Sequence, residues 1–222
     1  MQRFAVIIPA GGSSSRFGRD KLTEPLAGET VLMRTLRAFR RGDVARIVVA
    51  TAGGSIVGDE SIQTCGGGPS RAHSVRNALK TLGEEIEWVA VHDAARPLVS
   101  QELIDRTFAA AIQYGAAVAA LPVTLTVKQA DGPLPAKAQR TLARHTLWAM
   151  QTPQVMRRAD LVDAYARCTL PLDQITDDAQ LLELAGREVW LVPGEDRNIK
   201  ITTWQDMLLA EAILKYGNNP WP

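Results

Sequence analysis

The first residues that could do chemistry form a glycine- and serine-rich loop near the start of the chain. The loop contains Gly11 and Gly12 and continues to the cations Arg16 and Lys21. Glycine lets backbone N–H groups come close to phosphate oxygens, and the cations supply the countercharge. The spacing fits neither the dinucleotide fingerprint Gly-x-Gly-x-x-Gly nor the P-loop, which needs Gly-Lys-Ser/Thr. The pattern therefore predicts another kind of nucleoside triphosphate loop, with a simple basic turn as the alternative.

A carboxylate stands at the end of a later apolar segment, in the motif His92-Asp93-Ala94-Ala95-Arg96-Pro97. Proteins commonly hold Mg²⁺ by one or two carboxylates together with substrate phosphates and waters. We therefore predict that Asp93 binds a metal, the alternative being an aspartate that caps the following turn. His92 could act as a base, but a histidine at a strand end more often packs or forms hydrogen bonds, and we favour that interpretation.

Two further segments carry groups suited to a nucleotide. Gly67 and Gly68 lead through Pro69-Ser70 into a predicted helix with Ser74 in its first turn. Glycines there would let the backbone lie against a flat base, although the same residues also suit an ordinary turn and helix cap. Near the carboxyl end, Lys200 could reach a phosphate from a strand-like segment; without further context it would be a solvated lysine.

Strands and helices must position these segments, and the apolar pattern predicts both in alternation. The predicted strands are residues 4–8, 46–51, 88–92, 116–121 and 189–192, and the predicted helices are residues 31–41, 71–82, 101–114 and 204–215. The segment Thr176-Asp177-Asp178 could cap another helix that runs to Ala185. Such alternation is typical of a mainly parallel sheet flanked by helices, which binds ligands at its carboxyl edge.

The middle of the chain, from Pro122 to Pro153, breaks this alternation. It contains Asp131-Gly132 between two extended segments, which is a hairpin signal. We predict that this insertion leaves the sheet as an arm that contacts a second subunit, and the alternative is a long surface loop.

Composition sets limits on the class of protein. The chain has 222 residues, 46% hydrophobic and 22% charged, which suits an ordinary globular α/β protein. A net charge of +1 gives no sign of a nucleic-acid or membrane-surface partner. The two cysteines lack metal-ligand spacing. Because there is no signal-peptide-like start and no long apolar span, a cytoplasmic location is expected.

Five motifs, in order over almost the whole chain, resemble the 2-C-methyl-D-erythritol 4-phosphate cytidylyltransferase family. They are Pro9-Ala10-Gly11-Gly12 with Arg16 and Lys21, Gly67-Gly68 with Arg71, Ser74 and Val75, His92–Pro97, Leu147–Gln154, and Asn198–Thr202. The resemblance implies a single domain over residues 1–222 with a Rossmann-like nucleotidyltransferase fold. It also implies a projecting β-arm at about residues 122–150 that makes a homodimer, CTP as donor, Mg²⁺ as cofactor, and CDP-methylerythritol and pyrophosphate as products.

The same resemblance assigns roles to individual residues. Arg16, Lys21 and Lys200 would be catalytic, holding the triphosphate and the pentacoordinate transition state, while Asp93 would bind the metal. Ala10, Gly68 and Ser74 would surround cytidine, and Gly11, Gly12, Gly67 and Ala94 are also expected to bind substrate. The residues assigned to the phosphorylated acceptor, some of them from the partner's arm, are Arg96, Thr126, Arg144 and Thr176.

This chemistry needs no catalytic base, because the acceptor's phosphate monoester is already an anion at neutral pH. Cations must offset the repulsion between two anions and stabilise the leaving pyrophosphate, which fits a site rich in Lys and Arg. Two rivals remain: a cytidylyltransferase for another alditol phosphate such as ribitol 5-phosphate, and a non-catalytic nucleotide-binding regulator. Leu125, where an acidic residue is common in the family, bears on the choice of acceptor. Arg16, Asp93 and Lys200 together argue against a pure binder.

Overall fold

The computed structural model describes residues 4–11, 17–18, 20–51 and 62–217 of the chain. The strands in chain order are β1 (Phe4–Pro9), β2 (Pro25–Leu26), β3 (Glu29–Thr30), β4 (Val44–Thr51), β5 (Ile62–Gly66), β6 (Trp88–Val91), β7 (Ala116–Pro122), β8 (Lys128–Ala130), β9 (Ala138–Thr141), β10 (Trp148–Arg157) and β11 (Trp190–Pro193). The α-helices are α1 (Val31–Ala38), α2 (Arg71–Leu79), α3 (Gln101–Tyr114), α4 (Arg158–Arg167), α5 (Asp178–Leu184) and α6 (Trp204–Tyr216).

Seven of the described strands form one sheet in the order β11-β7-β10-β6-β1-β4-β5. β10 runs antiparallel to both of its neighbours, and the other pairings among these strands are parallel. On one side of β1 the sheet continues with β4 and then β5, whereas β6, which follows β5 in the chain, lies on the other side of β1. In open α/β sheets the crevice at the carboxyl ends of the strands, at such a change of direction, is where ligands bind. The predicted mainly parallel sheet is confirmed.

Strand β1 is buried on both faces, which explains its near-continuous apolar sequence. Phe4, Val6 and Ile8 pack into the same core as residues of α1, α3 and α6. Ala5 and Ile7 face the opposite core, which is covered by α2, α4 and α5. The sheet is therefore held between two layers of helices, and its carboxyl edge carries the loops. In the part of the chain that the structure describes, no helix has the length and apolarity needed to cross a bilayer.

Strand β10 is an inner strand that the apolar pattern did not predict. Its buried residues include Gln151, Thr152 and Gln154, whose polar side chains interrupt the pattern of a buried strand. Its pairing with β7 is irregular between Met150 and Gln154, and such irregularities re-aim side chains next to functional sites. Helix α4 was likewise not predicted.

The arm is the segment Val123–Leu147, which is slightly shorter than the predicted range of about 122–150. Pro122 and Trp148 pair with each other in the main sheet, and the Val123 N–H donates to the Leu147 carbonyl at 3.1 Å. Beyond that closure, β8 and β9 form the predicted antiparallel hairpin as a separate small sheet. Every residue of the two hairpin strands is exposed in the single chain.

Candidate active site

Two adjoining cavities open at the carboxyl edge of the sheet and share one wall. The first, of about 420 Å³, is lined by Pro9, Ala10, Gly11, Lys21, Leu22, Gly68, Pro69, Ser70, Arg71, Ser74, Asp93, Ala94, Ala95 and Lys200. The second, of about 290 Å³, is lined by Arg71, Asp93, Arg96, Met150, Gln151, Thr152, Gln154, Thr176, Asp177 and Lys200. Arg71, Asp93 and Lys200 belong to both. A group bound in one cavity would therefore meet a group bound in the other across these three side chains.

Asp93 sits at the centre of the shared wall, two residues after Val91, where strand β6 ends. Its Oδ1 accepts from Arg71 Nε at 3.0 Å, and its Oδ2 lies 2.8 Å from Lys200 Nζ and 3.6 Å from Arg96 Nε. Burial raises the pKa of this carboxyl, but the positive charges of Arg71, Lys200 and Arg96 outweigh burial and hold the pKa well below its usual range. Asp93 is thus an anion that holds three cations, rather than a cap of the following turn.

Arg71 is a site residue to which the sequence assigned no role of its own. It is the first residue of helix α2, and while its Nε donates to Asp93, its Nη1 donates to Asp178 Oδ2 at 2.7 Å. Asp178 is only 1% exposed, and Gln154 Oε1 accepts from its N–H at 2.9 Å. Asp177 caps helix α5, as predicted, by accepting from the Gln180 N–H. The sequence signal for this role was the place of Arg71 in the second of the five motifs, three residues after Gly68.

Hydrogen bonds explain His92 without a catalytic role, as predicted. The side chain is fully buried, with Nε2 3.1 Å from the Arg96 carbonyl and Nδ1 3.0 Å from Thr152 Oγ1. Burial lowers the pKa of His92 to about 4, so the ring is neutral at pH 7. Because a carbonyl only accepts, the proton lies on Nε2, and the Thr152 hydroxyl donates to Nδ1 while accepting from the Asp93 N–H. The ring thereby fixes the start of the Asp93 loop.

The segment that carries Lys200 is fastened to strand β10 by side-chain amides. Gln151 Nε2 donates to the Glu195 carbonyl at 2.9 Å, and its Oε1 accepts from the Glu195 N–H. Asn198 Nδ2 donates to the Thr152 carbonyl at 2.8 Å, and Arg96 Nη1 donates to the Asn198 carbonyl. These contacts are buried or partly buried, so they hold Lys200 beside Asp93. A freely solvated Lys200, the alternative left open by the sequence, is not what the structure has.

Close packing of the glycine segment shapes the first cavity. A Cβ atom on Gly68 would lie 2.3 Å from His73 Cβ, a distance that real Cβ atoms essentially never show. The Ser74 hydroxyl accepts from the Gly68 N–H at 3.0 Å and donates to the Ser70 carbonyl at 3.1 Å. Gly67 lies outside the lining, and its N–H donates to the Thr51 carbonyl. Ser74 therefore faces the cavity while its hydroxyl already supports the glycine turn.

The structure brings most of the predicted site residues together. In the first cavity are Ala10, Gly11, Lys21, Gly68, Ser74, Asp93, Ala94 and Lys200, and in the second are Arg96 and Thr176 together with Asp93 and Lys200. Thr126 and Arg144 lie on the arm and line neither cavity; Arg144 Nη1 instead donates to the Thr124 carbonyl. Gly12 and Arg16 lie outside the described residues.

The donor set can be tested against a divalent metal. Asp93 is the one carboxylate that lines the first cavity among the residues described, and they contain no cluster of three or more His, Cys, Asp or Glu side chains suited to a metal. Both oxygens of Asp93 already face cations. This arrangement fits Mg²⁺ that is held largely by nucleotide phosphates and water, with one protein carboxylate, but not a metal held by protein ligands alone.

Comparison with known protein families gives a match over almost the whole of this chain. Residues 4–216 match the family model described as 2-C-methyl-D-erythritol 4-phosphate cytidylyltransferase. A protein of that name from Gloeobacter violaceus is 39% identical, over 95% of this chain and 95% of its own length. The "Bifunctional enzyme IspD/IspF" of Desulfotalea psychrophila is 38% identical over 99% of this chain, but the chain spans only 59% of that relative's length.

Solved structures give the same match. The 2-C-methyl-D-erythritol 4-phosphate cytidylyltransferase of Thermus thermophilus superposes with a TM-score of 0.81 at 37% identity, covering 95% of this chain and 98% of the other. The enzyme of the same name from Francisella tularensis superposes with a TM-score of 0.83 at 33% identity, covering 96% of this chain and 99% of the other.

Proposed function

The chain belongs to the 2-C-methyl-D-erythritol 4-phosphate cytidylyltransferase family, and we propose that it transfers a cytidylyl group from CTP to 2-C-methyl-D-erythritol 4-phosphate. The products are CDP-methylerythritol and pyrophosphate, and the reaction belongs to non-mevalonate isoprenoid biosynthesis. The observation that carries this proposal is the pair of cavities that share Arg71, Asp93 and Lys200. One cavity takes the nucleotide and the other takes the acceptor phosphate, and the cations lie where the two meet.

In the proposed reaction, an oxygen of the acceptor phosphate attacks the α-phosphorus of CTP. A new P–O bond forms, the bond from the α-phosphorus to the oxygen that bridges to the β-phosphorus breaks, and pyrophosphate leaves with that electron pair. No proton must be removed first, because the second pKa of a phosphate monoester is about 6. The fully buried and neutral His92 is accordingly not needed as a base.

Positioned charge is the main contribution of the protein. Lys21 and Lys200 line the nucleotide cavity, Arg96 lines the acceptor cavity, and Arg71 lines both, while Asp93 and Asp178 supply the opposing negative charge. The balance of these groups is positive, so it favours the approach of two anions and stabilises the charge that develops on pyrophosphate. Arg16 is expected to add to this set.

Mg²⁺ is proposed as the cofactor, with Asp93 as its protein ligand and the nucleotide phosphates as the others. Bound there, the metal would neutralise phosphate charge. Lys200 stays paired with Asp93 Oδ2 at 2.8 Å, and because each carboxylate oxygen has a second lone pair, Asp93 can still bind the metal.

A homodimer formed through the arm is proposed to complete the acceptor site. Leu125 and Leu134 on the arm are 76% and 87% exposed in the single chain. A second subunit that covers the arm would bury them and bring Thr126 and Arg144 to the acceptor cavity. We also expect a cytoplasmic protein, consistent with the free thiols of Cys65 and Cys168.

The test is pyrophosphate release by purified protein with CTP, Mg²⁺ and either methylerythritol 4-phosphate or ribitol 5-phosphate. We expect release with the first acceptor and its loss when Mg²⁺ is chelated. A preference for ribitol 5-phosphate would assign the chain to another alditol phosphate, and CTP binding without release on any acceptor would favour the non-catalytic regulator.

A further inference from the structure

A third cavity lies on a different side of the loops that carry Arg96 and Lys200. It measures about 270 Å³ and is lined by Arg34, Arg37 and Ala38 of α1, Pro97, Leu98, Val99 and Gln101 at the start of α3, Arg197, and Leu214 of α6. None of these residues lines either cavity of the candidate active site. The cavity is therefore built from a separate set of side chains, three of which are arginines.

The positive charge of this cavity is only partly balanced. Arg34 Nη1 and Arg37 Nη2 both contact one oxygen of Glu29, at 2.7 and 2.6 Å. Arg197 has no ion pair or hydrogen bond to the side chains of the described residues, and its Nε is buried without a partner. Among those residues, Glu29 thus pairs with two of the three guanidinium groups, and the third has no carboxylate partner. A buried N–H group without a partner costs free energy, which an anion at this place would recover.

The other part of the lining is apolar. Leu98 and Val99, which are 3% and 7% exposed, and the partly buried Leu214 line the cavity beside the arginines and offer a small hydrocarbon surface. Guanidinium groups favour phosphate oxygens, to which they donate in pairs, and hydrocarbon surface favours a short aliphatic group on the same ligand. A free inorganic anion would use the first feature and leave the second unused.

We propose that this cavity binds a phosphate monoester with a short apolar substituent, and that Arg197 is the residue on which binding chiefly depends. The site lies next to the catalytic loops along the chain: Pro97 follows Arg96, and Arg197 precedes Asn198, which fastens the Lys200 segment to β10.

The experiment is a titration of the full chain with n-butyl phosphate, and separately with inorganic phosphate, at low ionic strength and without Mg²⁺. Binding is followed by the ¹⁵N resonances of the arginine Nε–H groups, with the Arg197 signal assigned by its loss in Arg197→Gln. The signals of Arg71 and Arg96 report on the active site separately, so occupancy of the two places is distinguished. No turnover is needed, so a failure of the proposed enzyme activity would leave this test intact.

We expect n-butyl phosphate to shift the Arg197 signal saturably and to bind more tightly than inorganic phosphate. In Arg197→Gln, the affinity for n-butyl phosphate, now read from the Arg34 and Arg37 signals, should fall about tenfold, because a charge-assisted hydrogen bond is lost. Arg46→Gln is the matched control, since Arg46 is exposed on β4 and makes the same change in charge; its affinity should equal that of the wild type. An unmoved Arg197 signal, or equal affinity in Arg197→Gln, would overturn the site. Equal affinities for the two phosphates would overturn the assignment to a monoester.

Discussion

The wall that the two cavities share differs from the arm in how its side chains are held in place. In the wall, Asp93 is 7% exposed and Asp178 is 1% exposed, and each cation that faces them is fixed by side chains from other elements. In the arm, no residue from Val123 to Leu147 is buried, and the hydrogen bonds run mainly within the arm itself. The wall is therefore complete within one chain.

This difference indicates a division of labour. Stabilising charge in a transition state requires groups that are fixed before the reaction, because reorganisation at that moment costs free energy. Buried hydrogen bonds supply that rigidity to Arg71 and Lys200. The arm carries Thr126 and Arg144, which are proposed to bind the acceptor, on a segment that is largely exposed in the single chain, so their contribution should depend on assembly.

The largest effect is expected from Asp93→Asn. The substitution keeps size and the backbone contact to Thr152, but it removes the negative charge that holds three cations and is proposed to bind the metal. We expect kcat to fall by about 10²–10³-fold, the range seen when one fixed electrostatic contact to a transition state is lost. Steady-state kinetics with circular dichroism separate this loss from unfolding. Asp173→Asn, at an exposed position, should behave as the wild type; normal turnover by Asp93→Asn would show that the metal assignment is wrong.

The arm is tested by mixing two inactive variants. Lys200→Ala removes a wall cation and keeps the arm, whereas Arg144→Ala alters the arm and keeps the wall. If each active site combines one chain's wall with its partner's arm, random mixed dimers contain one intact site each. Half of the dimers are mixed in an equimolar sample, so activity should recover to about one quarter of the wild-type value.

This recovery distinguishes an arm that acts across the dimer from one that acts on its own chain. An arm used by its own chain gives no recovery, because then no combination restores both groups to one site. Arg140→Ala is the matched arm control: Arg140 contacts Gln129 within the hairpin, so that variant should remain active alone. Sedimentation of each variant checks that dimers are present.

An intermediate effect is expected for Asp178→Asn. This change removes the charge that fixes Arg71 from the side opposite Asp93. Because hydrogen bonds to charged groups contribute about 1.5–3 kcal/mol, we expect a stability loss of that order and a fall in kcat/KM of about tenfold. Urea unfolding and kinetics measure the two. Asp163→Asn, in a surface ion pair on α4, should change stability by less than about 1 kcal/mol. An Asp178→Asn variant with unchanged kcat/KM would mean that Arg71 needs no support from α5.

Sequence reasoning succeeded where neighbours along the chain carry the information. The apolar run Phe4–Ile8 and the helix Gln101–Tyr114 were predicted nearly to the residue, because burial and helix period leave a local pattern. The interpretation of His92 as a hydrogen-bonding residue was also confirmed.

It failed where partners are far apart in the chain. Strand β10 places Gln151 and Gln154 in the interior, which no local pattern favours, because their partners lie in the Glu195–Asn198 and Asp177–Ala179 segments. The link from Arg71 to Asp178 joins residues 107 positions apart. Such contacts satisfy buried polar groups only in the folded chain, so the sequence shows the residues but not their pairing.

The smallest effect should come from Gly68→Ala, which probes how closely the wall of the nucleotide cavity is packed. An added Cβ would meet His73 Cβ at 2.3 Å, so the turn or helix α2 must shift, and the Ser74 hydroxyl would lose its fit to the Gly68 N–H. Because this side of the site is rigid, the shift should raise the KM for CTP by about threefold, as expected for about 0.7 kcal/mol of lost binding, with little change in kcat. Gly66→Ala is the matched control, since a Cβ there meets nothing within 4 Å. If both variants bind CTP equally well, the wall of the nucleotide cavity is not rigid. The contrast between a fixed wall and an assembly-dependent arm then does not hold.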